Sequence, residues 1–181
     1  MPAPTAQPAS GLLSRAGRAL LRRRAPRPAP PRPDHETQLR ALLAVLDDAV
    51  AAQRLADQVV AACGELGPVP GSIAEAGARQ LTIFNQLAVR MRELVVDGDV
   101  ARLHERASRL LAYHLWMIHN SLALAFASQR GNCAIEAARL RVNGLGAPAD
   151  ALQALRDDVA LRLAGDLAAA PAQPRDTSRR P

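Results

Sequence analysis

Residues 110–129 read LLAYHLWMIHNSLALAFASQ, lie between Arg109 and Arg130, and carry no formal charge while their histidines are neutral. A helix of that length would just cross a bilayer. Yet His114, His119, Asn120, Ser121 and Gln129 fall inside it, and each polar group would need a partner in hydrocarbon. The reading that decides the fold is therefore a central third helix enclosed by neighbouring helices of the same chain.

The sequence before and after this stretch supplies those neighbours. Leu39, Leu42, Leu46, Ala49, Gln53, Ala56, Val60 and Cys63 follow alternating steps of three and four, widened by Leu43, Val50 and Val59. This first helix should end near Gly64. After Gly67, Pro68, Pro70 and Gly71, the pair Ser72 and Glu75 predicts a capping box opening a second helix. Its core face would use Leu81, Phe84, Leu87, Ala88, Met91, Leu94 and Val95. Asp99 is placed to cap the third helix. Asn132 can cap a short helix reaching to about Val142, and Pro148 suits the first turn of a last helix with the face Leu152, Leu155, Val159, Leu163 and Leu167. No run of alternating β-branched residues suggests a strand. The expected class is all-α, an antiparallel bundle of four main helices plus one short helix over residues 34–170, with a disordered basic N-terminal arm and a disordered tail over 171–181.

The arm is the clearest chemical signal. Its 33 residues carry seven arginines, eight prolines and no acidic side chain, the first being Asp34. Net charges over 1–33, 34–170 and 171–181 are +7, −3 and +2, so the pI near 11.0 describes the tails and not the bundle. Ser10 to Arg24, SGLLSRAGRALLRRR, can form an amphipathic helix over 10–24, with Leu12, Leu13 and Leu20 on one side and Arg15, Arg18 and Arg22 on the other. Arg23 and Arg24 complete a basic cluster. Residues 25–33, APRPAPPRP, form a polyproline linker.

An arm of this kind is expected either to bind polyanions or to be a solvated tail produced by GC-rich coding. Anionic lipid would engage both its arginines and its leucines, whereas nucleic acid would engage mainly the arginines of residues 10–32. An arginine-rich, acid-free segment also fits a targeting presequence, which would send the chain to the nucleus or an organelle. Without such targeting, an intracellular location, cytoplasmic or peripheral to a membrane, is expected. The interrupted apolar run around Arg15 and Arg18 does not read as a secretory signal.

All 23 basic residues are arginine, as GC-rich coding produces, and a lysine-free chain can hold neither a Walker-type phosphate loop nor a Schiff base. Cys63 and Cys133 stand 70 residues apart, so no disulfide framework is expected. His114 and His119, five residues apart, point about 140° from each other on a helix and cannot share a metal. His114 reads as a core histidine, and His35, His104 and His119 as surface or boundary residues. Asp47-Asp48 and Asp157-Asp158 are adjacent pairs that diverge on a helix and form no acid–base dyad. Ser121, Cys63 and Cys133 lack a base at a recognisable spacing. No catalytic, cofactor or metal residue is expected.

The order of a basic leading helix, a proline-rich linker and long helices resembles small herpesvirus tegument proteins, although the cysteine they use for lipid attachment has no counterpart before Cys63. That resemblance, in order and composition, implies a structural or assembly role. The expectation is a non-enzymatic adaptor or scaffold whose bundle binds a protein partner or itself. A nucleic-acid-associated protein with an oligomerising bundle is the alternative.

Overall fold

A computed structural model of the chain describes residues 32–127 and 132–169, with side chains as far as Asp166. Among these residues the fold is all-α, built from α1 (His35–Gly64), α2 (Gly71–Glu93), α3 (Gly98–Ala125), α4 (Cys133–Arg139) and α5 (Ala147–Ala169). They belong to one compact unit that begins at Pro33. The arm over 1–31 and the tail over 171–181, with every expectation that falls on them, lie outside the described residues.

The stripe on α1 organises the rest. Every member from Leu39 to Cys63 at the three-four spacing is buried, so this face meets α2, α3 and α5 along its length. Phe84, Leu87 and Met91 from α2, Val100, Leu111 and Ile118 from α3, and Leu152, Leu155 and Val159 from α5 complete the core cluster. Apolar burial at roughly 25 cal/mol per Å² holds these helices together. The cluster spans Leu39 to Val159. Deleting residues 1–31 is thus expected to leave a cooperative thermal transition, and a circular dichroism melt that lost its cooperativity would make the arm part of the fold.

Several boundaries differ from the sequence reading, each for a local reason. α1 starts earlier than its apolar stripe, because the Asp34 carboxylate accepts from the Thr37 amide at 2.7 Å and caps it. That hydrogen bond holds the Asp34 carboxyl below its ordinary pKa. The capping box does not form. α2 begins at Gly71 with Pro70 at the cap position, which puts Ser72 inside the helix, and no side chain caps it. α3 is preceded by Asp97, and Asp99 lies in its first turn instead of capping it. The Asp97 carboxylate is engaged elsewhere: buried Gln38 donates to it at 3.1 Å and accepts from the Asp97 amide at 2.9 Å. α2 stops at Glu93, so Val95 falls beyond it and is 62% exposed instead of buried. Asn132 does cap α4, accepting from Ala134 and Ile135, but α4 ends at Arg139 and not near Val142.

The expectation for the third helix needs the largest correction. Ile118 and His114 are fully buried, but α3 is not enclosed. Ala112, Trp116, His119 and Ala123 face solvent, with Trp116 57% exposed, and Met117 and Leu122 are only partly buried. One side of α3 has no helix over it among the described residues. Nor is any described helix long and apolar enough to cross a membrane.

Candidate functional site

Buried polar side chains inside the unit are committed to structure, apart from Gln80 Oε1 and Ser108 Oγ, which meet no hydrogen-bond partner among the described residues. Gln53, the one amide in the α1 stripe, donates from Nε2 to His114 Nε2 at 3.0 Å and to the Ala149 carbonyl at 3.0 Å. His114 Nδ1–H donates to Leu110 O at 2.6 Å, so its ring is the neutral tautomer that accepts at Nε2. Phe84 stacks on the imidazole at 5.4 Å and Tyr113 meets it edge-on at 6.4 Å. One neutral histidine thus joins α1, α2, α3 and the first turn of α5.

Burial pushes the His114 pKa below the ordinary 6.5, with the Leu110 hydrogen bond opposing it. Because the unfolded chain takes up the proton first, stability contributed by His114 is full above pH 6.5 and is lost as pH falls through the depressed folded value. His35 has the opposite sign. Its two ring nitrogens face Asp166 at 2.7 Å and Asp99 at 3.2 Å, which raises its pKa, so its contribution is full below 6.5 and fades as pH rises through the folded value. His35 is exposed, and its contribution is therefore small. A falling melting temperature between about pH 7 and about pH 5.5 is the expected result, steeper in His35→Gln. A melting temperature flat across that window in His35→Gln would show that His114 is not held neutral.

Arg139 is the residue that sequence reasoning missed. With only 4% of its side chain exposed, it donates to the carbonyls of Cys63 at 2.8 Å, Glu65 at 2.6 Å and Gly67 at 3.3 Å, and pairs with Glu136. These carbonyls close the C-terminal end of α1, whose last turn holds no basic residue of its own. That lack was the available signal. Gly64 permits the approach, since a Cβ there would lie 1.8 Å from Val142 O.

The residues considered for chemistry are placed apart. The Cys63 thiol is buried and burial pushes its pKa up, while Ser121 donates to Met117 O at 2.7 Å. Asp47 pairs with Arg156 and its neighbour Asp48 with Arg90. Asp157 and Asp158 pair with Arg156 and Arg162 respectively. His114 is buried and His119 exposed, on different sides of α3. Among the described residues no group of three or more His, Cys, Asp or Glu could hold a metal ion.

What the fold leaves unpaired is an apolar face. Between α2 and α3 runs an open groove of about 300 Å³, lined by Ala74, Ala78 and Leu81 on one wall and Leu122, Ala123 and Phe126 on the other, with His119 at its edge. Gly77 lets the two helices close beneath it, because a Cβ there would meet Leu122 at 2.6 Å. Beside the groove stands Trp116, its ring held 5.8 Å from that of Tyr113. The α3 side carries no formal charge from Leu110 to Ala127 with His119 neutral. The sequence reading enclosed α3 on every side, yet a pattern existed: Arg102, Arg109, Trp116 and Ala123 recur at intervals of seven along one exposed line. The arginines mark the solvent side, and Trp116 continues it.

The sequence-predicted site residues Leu12, Leu13, Leu20, Arg15, Arg18, Arg22, Arg23 and Arg24 all lie outside the described residues. No family model, curated protein or solved structure matches the chain.

Proposed function

We infer that this chain is a non-enzymatic helical adaptor or scaffold, in which the basic arm attaches to an anionic membrane or other acidic surface and the helical part binds a protein partner or a second copy. The helical part is read as an antiparallel bundle of α1, α2, α3 and α5. Cross-pairs support that reading: Met91 with His104 and Phe84 with His114 run in reverse order along α2 and α3, and His35 with Asp166 and Asp47 with Arg156 do so along α1 and α5. The observation that carries the functional reading is the separation of chemistries along the chain. The largest positive surplus, +7, sits in an arm with leucines at helical spacing, while the helical part bears a neutral apolar face with Trp116 at its crest.

Two triple variants of the full chain test the arm. Leu12, Leu13 and Leu20 all changed to Ser keep its charge, and Arg15, Arg18 and Arg22 all changed to Gln keep its apolar side. On a membrane tether both should lose flotation with vesicles containing anionic lipid, each arginine being worth about 1 kcal/mol near the surface. On a phosphate-binding arm only the arginine variant should weaken, with the log–log salt slope of DNA binding falling by about 0.9 per lost contact. A chain unaffected by either set has a passive arm, and the proposal fails.

A further inference from the structure

The geometry points to a second copy of this chain as the occupant of the α2–α3 groove, joined by insertion of Trp116 from each copy into the groove of the other. This inference rests on the reading in which the helical part binds a protein partner or itself, and names which.

Three observations select a second copy. First, knob and hole share one face. Trp116 and Ala123 lie on the same line of α3, two turns and about 10 Å apart, and Ala123 forms a wall of the groove. A two-fold axis between them brings each Trp116 to the other copy's groove, which is the reciprocity that an isologous interface requires. Trp116 is 57% exposed yet steadied by Tyr113, so it is both available and ordered. Tryptophan at the centre of an interface is the side chain whose burial contributes most to binding.

Second, the charges permit it. A face meeting its own copy meets its own charges, and like charges brought together oppose association. Neither the six apolar groove positions nor α3 beyond Arg109 carries a formal charge while His119 is neutral. Third, the area fits a weak dimer. The uncharged stretch of α3 over 110–127 rises about 27 Å, and two helices with axes 8–10 Å apart present a width of about 20 Å, giving on the order of 500 Å². Stable dimers bury about 800 Å² per partner and transient ones less than about 600 Å².

Sedimentation equilibrium of the full chain is the test, with thermal melts to show that each variant is folded. The expected result is a weight-average mass rising from the 19.2 kDa monomer toward twice that value between about 1 and about 100 µM. The dissociation constant should be unchanged between about 0.05 and 0.5 M salt, because the face is uncharged. Trp116→Arg and Ala78→Glu, both at exposed positions, should each raise the constant at least about tenfold. Mixed together they should recover a heterodimer near wild-type strength, since one contact then pairs Arg with Glu and the other keeps Trp116 in an unaltered groove.

A monomer across the whole range overturns the inference, as does a dimer indifferent to both substitutions or a mixture that fails to recover. If the dimer is lost when Arg15, Arg18 and Arg22 become Gln, or dissolves in salt, the arm holds the copies together and this face does not. A monomer that still floats with anionic vesicles ends the dimer and leaves the adaptor reading standing; a dimer that no longer floats does the reverse.

Discussion

Ile118→Asp is expected to abolish cooperative folding. Ile118 is fully buried and belongs to the cluster shared by the long helices. The cluster around it is apolar, and burying a carboxylate there costs several kcal/mol or more, against a total stability of about 5–15 kcal/mol for a domain of this size. Circular dichroism should show reduced helicity and no sharp thermal transition. Trp116→Asp, two residues earlier on the exposed side of α3, supplies the contrast and should melt within about 1 kcal/mol of the wild type. A soluble, cooperatively folded Ile118→Asp protein would mean that α3 presents a different face to the core.

Arg139→Met carries the second large effect. The substitution keeps most of the buried stem but removes the donors to Cys63 O, Glu65 O and Gly67 O. The Cys63 carbonyl is buried and costs about 1–3 kcal/mol when left without a donor, while the part-buried carbonyls of exposed Glu65 and Gly67 add less, so a loss of about 2 kcal/mol or more is expected. Urea denaturation would read it as a lower midpoint at constant slope. Arg141→Met serves as control: that side chain is exposed, and its loss should fall within about 0.5 kcal/mol. If the two variants denatured alike, α4 would not be what closes α1.

Regularity made much of this fold legible. The α1 stripe, the Asn132 cap and Pro148 in the first turn of the last helix each follow from a spacing or a single residue's chemistry. Those signals are local and need no knowledge of the partner. The capping box at Ser72 failed because α2 starts at Gly71, with its cap position two residues earlier at Pro70, and Val95 failed because α2 stopped two residues short of it. Both errors are boundary errors.

The errors over Arg139 and Trp116 differ in kind. Arg139 sits on a helix of seven residues, and its three carbonyl partners lie 72 to 76 positions away. No periodicity reaches across that separation. Trp116 lies on a helix read as enclosed because its residues 110–129 carry no formal charge, although its line on α3 is marked by Arg102 and Arg109. Apolar character says what a side chain gains from burial, and only the position of its charged neighbours says whether burial is on offer. The arm's residues remain a matter of sequence, where spacing between leucines and arginines defines two faces before any surface is present to receive them.

Trp116 also decides how the protein will look in a spectrometer. It is the chain's single tryptophan, and 57% of it meets water in the folded monomer. Solvent dipoles relax around an exposed excited indole, so native emission should already lie toward long wavelength, and unfolding should move it little. Fluorescence is therefore a poor clock for the folding of this molecule. The same indole should shift to shorter wavelength, and lose access to a dissolved quencher, when something covers the α3 face. The single indole is positioned to report company instead of folding.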